Sequence, residues 1–208
     1  MSIPTIYDFH VPRKDLTEER TAQILDAFER CIVRQGLGAT SLEDIAQEAD
    51  VKRSILRHYV GNRDDLVRAL GDRLLAHYRA DLAEMVEYAT AGGARIVDRL
   101  VECLFPRPSE EAFQSVIVLE ALIVAARQDD ELRRRINELM ADTVQSVEVI
   151  LRAAHEDTEL DRKALFAVAW GVVGLSFNEE SLTPLALPAR YRRGSVQAAR
   201  VLIESLDR

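Results

Sequence analysis

TSLEDIAQEADVKRSILRHY, residues 40–59, decides how this chain is read. Thr40-Ser41-Leu42-Glu43 has the pattern of a capping box, a hydroxyl at the cap and a glutamate three residues on, each satisfying the other's orphan amide. It predicts a short helix ending near Glu48. Ala49-Asp50 predicts a tight turn, because Asp tolerates a left-handed backbone better than most residues. A third helix is then expected from about Lys52 to Tyr59. Projected at about 100° per residue, it sets Val51, Ile55, Leu56 and Tyr59 on one side, with Lys52 at the edge. Arg53, Ser54, Arg57 and His58 fall on the other side. Two short helices joined by a tight turn, with the small Ala46 where they cross, form a helix-turn-helix. The second has an apolar inner face and a donor-rich outer face, which suits the major groove, where arginine pairs with guanine O6 and N7. An ordinary charged surface helix would project in the same way.

Outward from this stretch the chain is punctuated helix. Thr17 is expected to cap a first helix running to about Gln35, with Leu25, Phe28 and Ile32 on one stripe and Gly36 and Gly38 ending it. Gly61-Asn62 is expected to cap a fourth, which carries Leu66, Leu70, Leu74, Tyr78, Leu82, Met85 and Ala89 as far as Gly92-Gly93. Further helices are expected at about 94–104, 110–127, 130–155, 161–179 and 191–206, with a proline-interrupted loop from Ser181 to Arg190. No segment alternates with period two for long enough to be a strand. The fold class is therefore all-α: an N-terminal three-helix unit with a helix-turn-helix, then a larger helical domain.

Composition agrees. The 208 residues are 48% apolar with only 9 Gly and 6 Pro, so breakers are few. Cys31 and Cys103 sit in apolar segments and read as core residues of a reducing compartment. The N-terminus lacks the apolar core of a signal peptide, and no window reaches the roughly 20 apolar residues of a membrane span; a cytoplasmic protein is expected. The net charge is −8, and residues 1–71 alone hold 10 Lys+Arg against 12 Asp+Glu. Between Val51 and Arg63, however, stand Lys52, Arg53, Arg57 and Arg63 and no acid. Such a local cationic stretch can contact phosphate while the acidic remainder discourages non-specific binding.

Over roughly residues 18–70 the sequence resembles the tetracycline-repressor (TetR) family. The resemblance is carried by Arg20, Ile24-Leu25, Ala27-Phe28, Gly36, Thr40-Ser41-Leu42-Glu43-Asp44-Ile45-Ala46, Val51, Leu56 and Asn62-Arg63-Asp64-Asp65-Leu66, without a gap from Gly36 to Leu66. It implies an all-helical homodimer that binds a palindromic operator in double-stranded DNA, acts as a repressor and is released by a small-molecule effector. Control of the same fold by a protein partner is the alternative. The expected organisation is an arm over residues 1–16, the helix-turn-helix domain over 17–63 and a sensing and dimerisation domain over 64–208. Carried over, Thr40 and Ser41 would touch phosphates. Arg53, Ser54, Arg57, His58 and Tyr59 would enter the groove, Lys52 would also contact DNA, and Arg63 would stand where the family usually has a phosphate-binding lysine. Asp50, Lys52, Arg57 and Val60 depart from the family pattern, so the operator sequence does not transfer.

The segment 161–179 is apolar nearly all round, which implies neighbours on every side. Its small stripe Ala164, Ala167, Gly171 and Gly174, with the heptad-like seam Val196, Ala199, Ile203 and Leu206 of the last helix, is the expected dimer interface; one large monomeric core would read the same. An effector pocket is expected among Tyr78, Met85, Phe113, Ile117, Glu120, Trp170 and Phe177. Glu120 is the one acid within the apolar run Val116–Ala126. It would either meet a cationic or hydroxylated ligand or pair with Arg127, Arg95 or Arg99. A ligand that tilts the fourth helix would alter the spacing of two recognition helices. Catalysis is not expected. None of His10, His58, His77 and His155 completes a Glu-x-x-His ligand pair, and neither phosphate fingerprint nor nucleophile elbow occurs, so no metal, cofactor or catalytic residue is expected.

Overall fold

The computed structural model describes residues 13–106, 110–156 and 159–207, and among these every regular element is helical. The helices are α1 (Arg13–Gln35), α2 (Leu42–Glu48), α3 (Arg53–Val60), α4 (Arg63–Thr90), α5 (Ile96–Leu104), α6 (Glu110–Ala125), α7 (Asp130–Ala154), α8 (Arg162–Leu182) and α9 (Arg190–Glu204). Single 3-10 turns precede α5 and follow α8 and α9. The chain divides into two compact units, one ending at Leu70 and one beginning at Gly71.

In the first unit α1, α2 and α3 pack on one another. Their common core is Ile24, Phe28 and Ile32 from α1, Ile45 from α2 and Leu56 from α3, all fully buried with Leu66 and Leu70 of α4. The helix is already formed at Arg13, so Thr17 lies inside α1 and does not cap it. No Pro or Gly occurs between Pro12 and Gly36, so nothing in the sequence halts the helix at Thr17. The expected arm over 1–16 falls mostly on residues 1–12, outside the described residues, as does His10.

In the second unit α8 packs against α6, α7 and α9, and α5 against α7 and α9. One core runs through it: Met85 of α4, Leu100 of α5, Val147 and Ile150 of α7, Leu165, Val168 and Val172 of α8, and Ala199, Ile203 and Leu206 around α9. Here the expected interface is corrected. Ala199, Ile203 and Leu206 are buried inside one chain and cannot form a seam to a second copy, while Val196 is half-buried against the same core. A three-four apolar repeat serves either kind of contact equally well. In this chain it is satisfied by α8 and α5 of the same unit.

Candidate functional site

The junction of α2 and α3 is built from local hydrogen bonds. Ser41, not Thr40, is the N-cap of α2, and Asp44, not Glu43, is its reciprocal partner. The Ser41 N–H and Oγ–H both donate to Asp44 Oδ2 at 2.8 and 2.7 Å, and the Asp44 N–H donates back to Ser41 Oγ at 3.2 Å. These bonds hold the Asp44 carboxyl below the usual carboxylate range. Thr40 is only 1% exposed, and its hydroxyl donates to the Gly36 carbonyl at 2.9 Å. The expected phosphate contact of the Thr40 side chain is therefore corrected, since that side chain is buried, while Ser41 stands exposed with its hydroxyl engaged in the cap. At the far end of α2, Asp50 adopts φ 51°, the left-handed conformation expected of it. The Asp50 N–H reaches Gln47 O at 3.2 Å and the Val51 N–H reaches Ala46 O at 2.9 Å, which closes the helix in a Schellman motif with Asp where glycine is usual. Glu48 fixes α2 on α1 by accepting from Arg30 Nε at 2.7 Å and Arg34 at 2.8 Å. Those bonds, Arg30 foremost, hold its carboxyl low.

From this turn α3 starts at Arg53 with Lys52 as its N-cap, whose side chain makes no capping bond. Leu56 and Val60 face the core and Tyr59 is half-buried, its ring edge-on to His58 at 5.2 Å. Ile55, expected inward, is 42% exposed; Val60 takes the inner position. A helix that begins at Arg53 places residues 56 and 60, one turn apart, on the buried line. Lys52, Arg53, Ser54, Arg57 and His58 are all exposed. Neither arginine makes a hydrogen bond or ion pair among the described residues, so both guanidiniums are free to meet an external partner.

Arg63 behaves otherwise. Its Nη1 donates to Thr40 O and its Nη2 to Leu37 O, clipping the first turn of α4 to the loop between α1 and α2. The expected phosphate role of Arg63 is thus corrected to a structural one. Beside it Gly61 has φ 75°, and a Cβ there would lie 2.5 Å from Asp65 Oδ2. That carboxylate receives the Asn62 N–H at 3.0 Å, while Asn62 Oδ1 accepts from Asp64 and Asp65 at 2.8 and 3.1 Å.

Residues 24–70 match the family described as bacterial regulatory proteins, tetR family. Over these residues the chain is similar to the TetR family. Two curated relatives, HTH-type transcriptional regulators BetI of Burkholderia thailandensis and Burkholderia cenocepacia, are each 39% identical to it over 59 residues, 28% of this chain and 30% of theirs. The chain therefore spans about 30% of the length of these relatives. The fold match extends further. A TetR transcription regulator from Haloarcula marismortui superposes with a TM-score of 0.75 at 17% identity, covering 91% of this chain and 98% of that one. A transcriptional regulator from Rhodococcus gives 0.70 at 16% identity, covering 89% and 95%.

Outside the segment that carries this TetR-family match, α8 presents two different arcs. Leu165, Val168, Ala169, Val172, Val173 and Ser176 are buried. Ala164, Ala167 and Gly174 are exposed and Gly171 half-exposed, so this small stripe does face outward. With it come Phe166 at 54% and Trp170 at 53% exposure. On α9 the exposed residues include Tyr191, Gly194, Ala198 and Val201, with the polar Arg190, Arg193, Gln197 and Glu204 among them. A Cβ on Gly174 would meet nothing within 4 Å, whereas one on Gly171 would lie 3.2 Å from Leu202 of the same chain.

The expected effector residues are only partly gathered. Trp170 faces outward and is removed from that set. Met85 is buried, with Phe177 packed against the same core. Tyr78, Phe113, Ile117 and Glu120 are half-buried. Glu120 has no ion-pair partner among the described residues: Arg99 instead stacks on Tyr88 at 4.7 Å, and Arg95 bonds Glu102 at 3.4 Å. Sequence reading missed Glu180, which it placed at the edge of a loop. The residue lies inside α8, where burial pushes its carboxyl up, and no hydrogen bond or ion pair within the described residues relieves it. Burial first, then the charges of Glu180 and Asp81, push the Tyr78 hydroxyl far above its ordinary value. A cavity of about 370 Å³ opens elsewhere, between the end of α8 and the start of α9, among Leu182, Leu187, Tyr191 and Arg192. Among the described residues no cluster suits a metal ion, and no helix is long and apolar enough to cross a membrane.

Proposed function

We propose that this chain is a DNA-binding transcription regulator of the repressor kind, which grips a palindromic operator as a homodimer through α3 and lets go when a small molecule binds. The observation that carries the reading is the outer face of α3. Arg53, Ser54, Arg57 and His58 stand exposed together on an eight-residue helix, and no acid shares it. Unpaired guanidiniums on a helix locked by a capped turn are suited to guanine edges, with Lys52 nearest the backbone. Tyr59 supports from the half-buried side.

The homodimer is supported by the outward arcs of α8 and α9. Ala164, Ala167 and Gly174 with Phe166, Trp170, Ala198 and Val201 expose apolar surface on two neighbouring helices of the kind that oligomer interfaces cover. For the effector, Tyr78 and Glu180 are the polar pair we assign, beside Met85 and Phe177, with Phe113, Ile117 and Glu120 as further candidates. A half-buried carboxyl without a partner suits a ligand bearing a cationic or hydroxyl group. Release requires only about 3 kcal/mol of coupling to weaken operator binding roughly a hundredfold.

Selection from a random duplex pool tests the core of this reading. A palindrome is expected, and Arg57→Ala should lower specific affinity by about 1–3 kcal/mol while relaxing base choice at one position per half-site. Recovery of no palindrome, or wild-type binding by Arg57→Ala, overturns it.

A further inference from the structure

We propose that Ile55 reads the methyl group of one thymine in each half-site, an inference that rests on the DNA-binding reading above. At about 100° per residue the buried line of α3 is Leu56 and Val60, with half-buried Tyr59 beside it. Directly opposite stand Ser54 and His58. Arg57 lies on one flank of that outward arc and Ile55 on the other. Every other exposed side chain of the arc can donate a hydrogen bond; Ile55 alone cannot, and it is 42% exposed. A lone exposed aliphatic residue needs no explanation on an ordinary surface. On this helix it occupies a position that faces the partner, and a β-branched side chain there contributes nothing to helix propensity.

The core beneath is complete without it, since Leu56 and Val60 already fill the inner line. The major groove offers one apolar group to such a side chain, the thymine C5-methyl. The two flanks then read different chemistry: Arg57 a guanine edge, Ile55 a thymine methyl, at different base pairs.

The test uses the intact protein and its selected operator. Each half-site thymine is replaced in turn, symmetrically, by deoxyuridine, which removes only the methyl, and affinity is measured by fluorescence anisotropy. One position should weaken wild-type binding about fourfold per half-site, equivalent to the ~0.8 kcal/mol of one methyl-sized group withdrawn from water. Ile55→Ala should bind the thymine and uracil duplexes alike, while Ile55→Val keeps part of the difference. Because Ile55 is outside the core, unchanged helicity is expected of both variants. The inference is overturned if no uracil substitution weakens wild type beyond twofold, or if the sensitive position stays as sensitive in Ile55→Ala. A protein that selects no operator at all overturns the DNA-binding reading itself, and the inference with it; a normal palindrome without uracil sensitivity overturns Ile55 alone.

Discussion

Arg63 separates two accounts of the same residue. Replacing it with Met keeps most of the aliphatic stem and removes both donors to the Thr40 and Leu37 carbonyls. A hydrogen bond from a charged donor contributes ~1.5–3 kcal/mol. Thr40 is buried and Leu37 half-buried, so truncation leaves these carbonyls only partly hydrated, and a loss of at least about 2 kcal/mol is expected. At ~1.4 kcal/mol per decade, local opening of the first unit should rise at least about thirtyfold. Hydrogen exchange followed by mass spectrometry on peptides from residues 36–60 of the intact protein would read that directly. Operator binding measured against salt supplies the opposing arm. A lost phosphate contact lowers the slope of log K against log salt by about 0.9, whereas a lost internal clip leaves it unchanged. If Arg63→Met exchanges like wild type and the slope falls by about one, the structural role is refuted and Arg63 belongs to the DNA.

Gly61→Ala should destabilise the first unit by about 2–3 kcal/mol, since φ 75° disfavours a Cβ and the new atom strikes the cap acceptor Asp65; chemical denaturation checks this. Trp170→Lys or Gly174→Arg should yield monomers at micromolar concentration with unchanged helicity, whereas Gly171→Leu should also perturb the subunit through Leu202; sedimentation velocity distinguishes them. Asp44 and Glu48 have lowered carboxyl values, so their contribution is full above the ordinary carboxylate range, about pH 4, and is lost as pH falls through the lower folded values. Exchange protection of α2 should therefore decline in acid, and Glu48→Gln should remove part of that decline. Glu180 is raised, so its burial penalty is present above its folded value and relieved below it. Glu180→Gln should stabilise the second unit at neutral pH in thermal unfolding.

Helix positions were legible because punctuation is local. Gly36, Asp50 and Gly61-Asn62 each enforce a stop or a cap through their own backbone preferences, and the helices end where those residues fall. Partners that depend on distant atoms were not legible. Thr40 and Ser41 are both competent caps and Glu43 and Asp44 both competent acids; only the nearness of the Gly36 carbonyl turns Thr40 inward and shifts the box by one residue. Arg63 reaches carbonyls more than twenty residues away in sequence. Periodicity located the apolar arcs of α8 and α9 but not their destinations. The seam Ala199, Ile203 and Leu206 went to the chain's own core, while Trp170 was left at the surface.

The closed cap at Ser41 has a consequence for selectivity. A helix N-terminus is a general seat for anions, and a phosphate of any duplex would fit it whatever the sequence. In this chain the seat is filled by Asp44, which sits on the Ser41 amide and hydroxyl as a tethered mimic of that phosphate. An incoming strand must displace or bypass an anion that never diffuses away. If α3 enters the groove as proposed, the start of α2 would add little indiscriminate grip, and discrimination would be left to the bases beneath α3. Asp44→Asn would keep an acceptor in the seat but remove its negative charge, and should tighten binding to random DNA more than to the operator, narrowing the gap between the two.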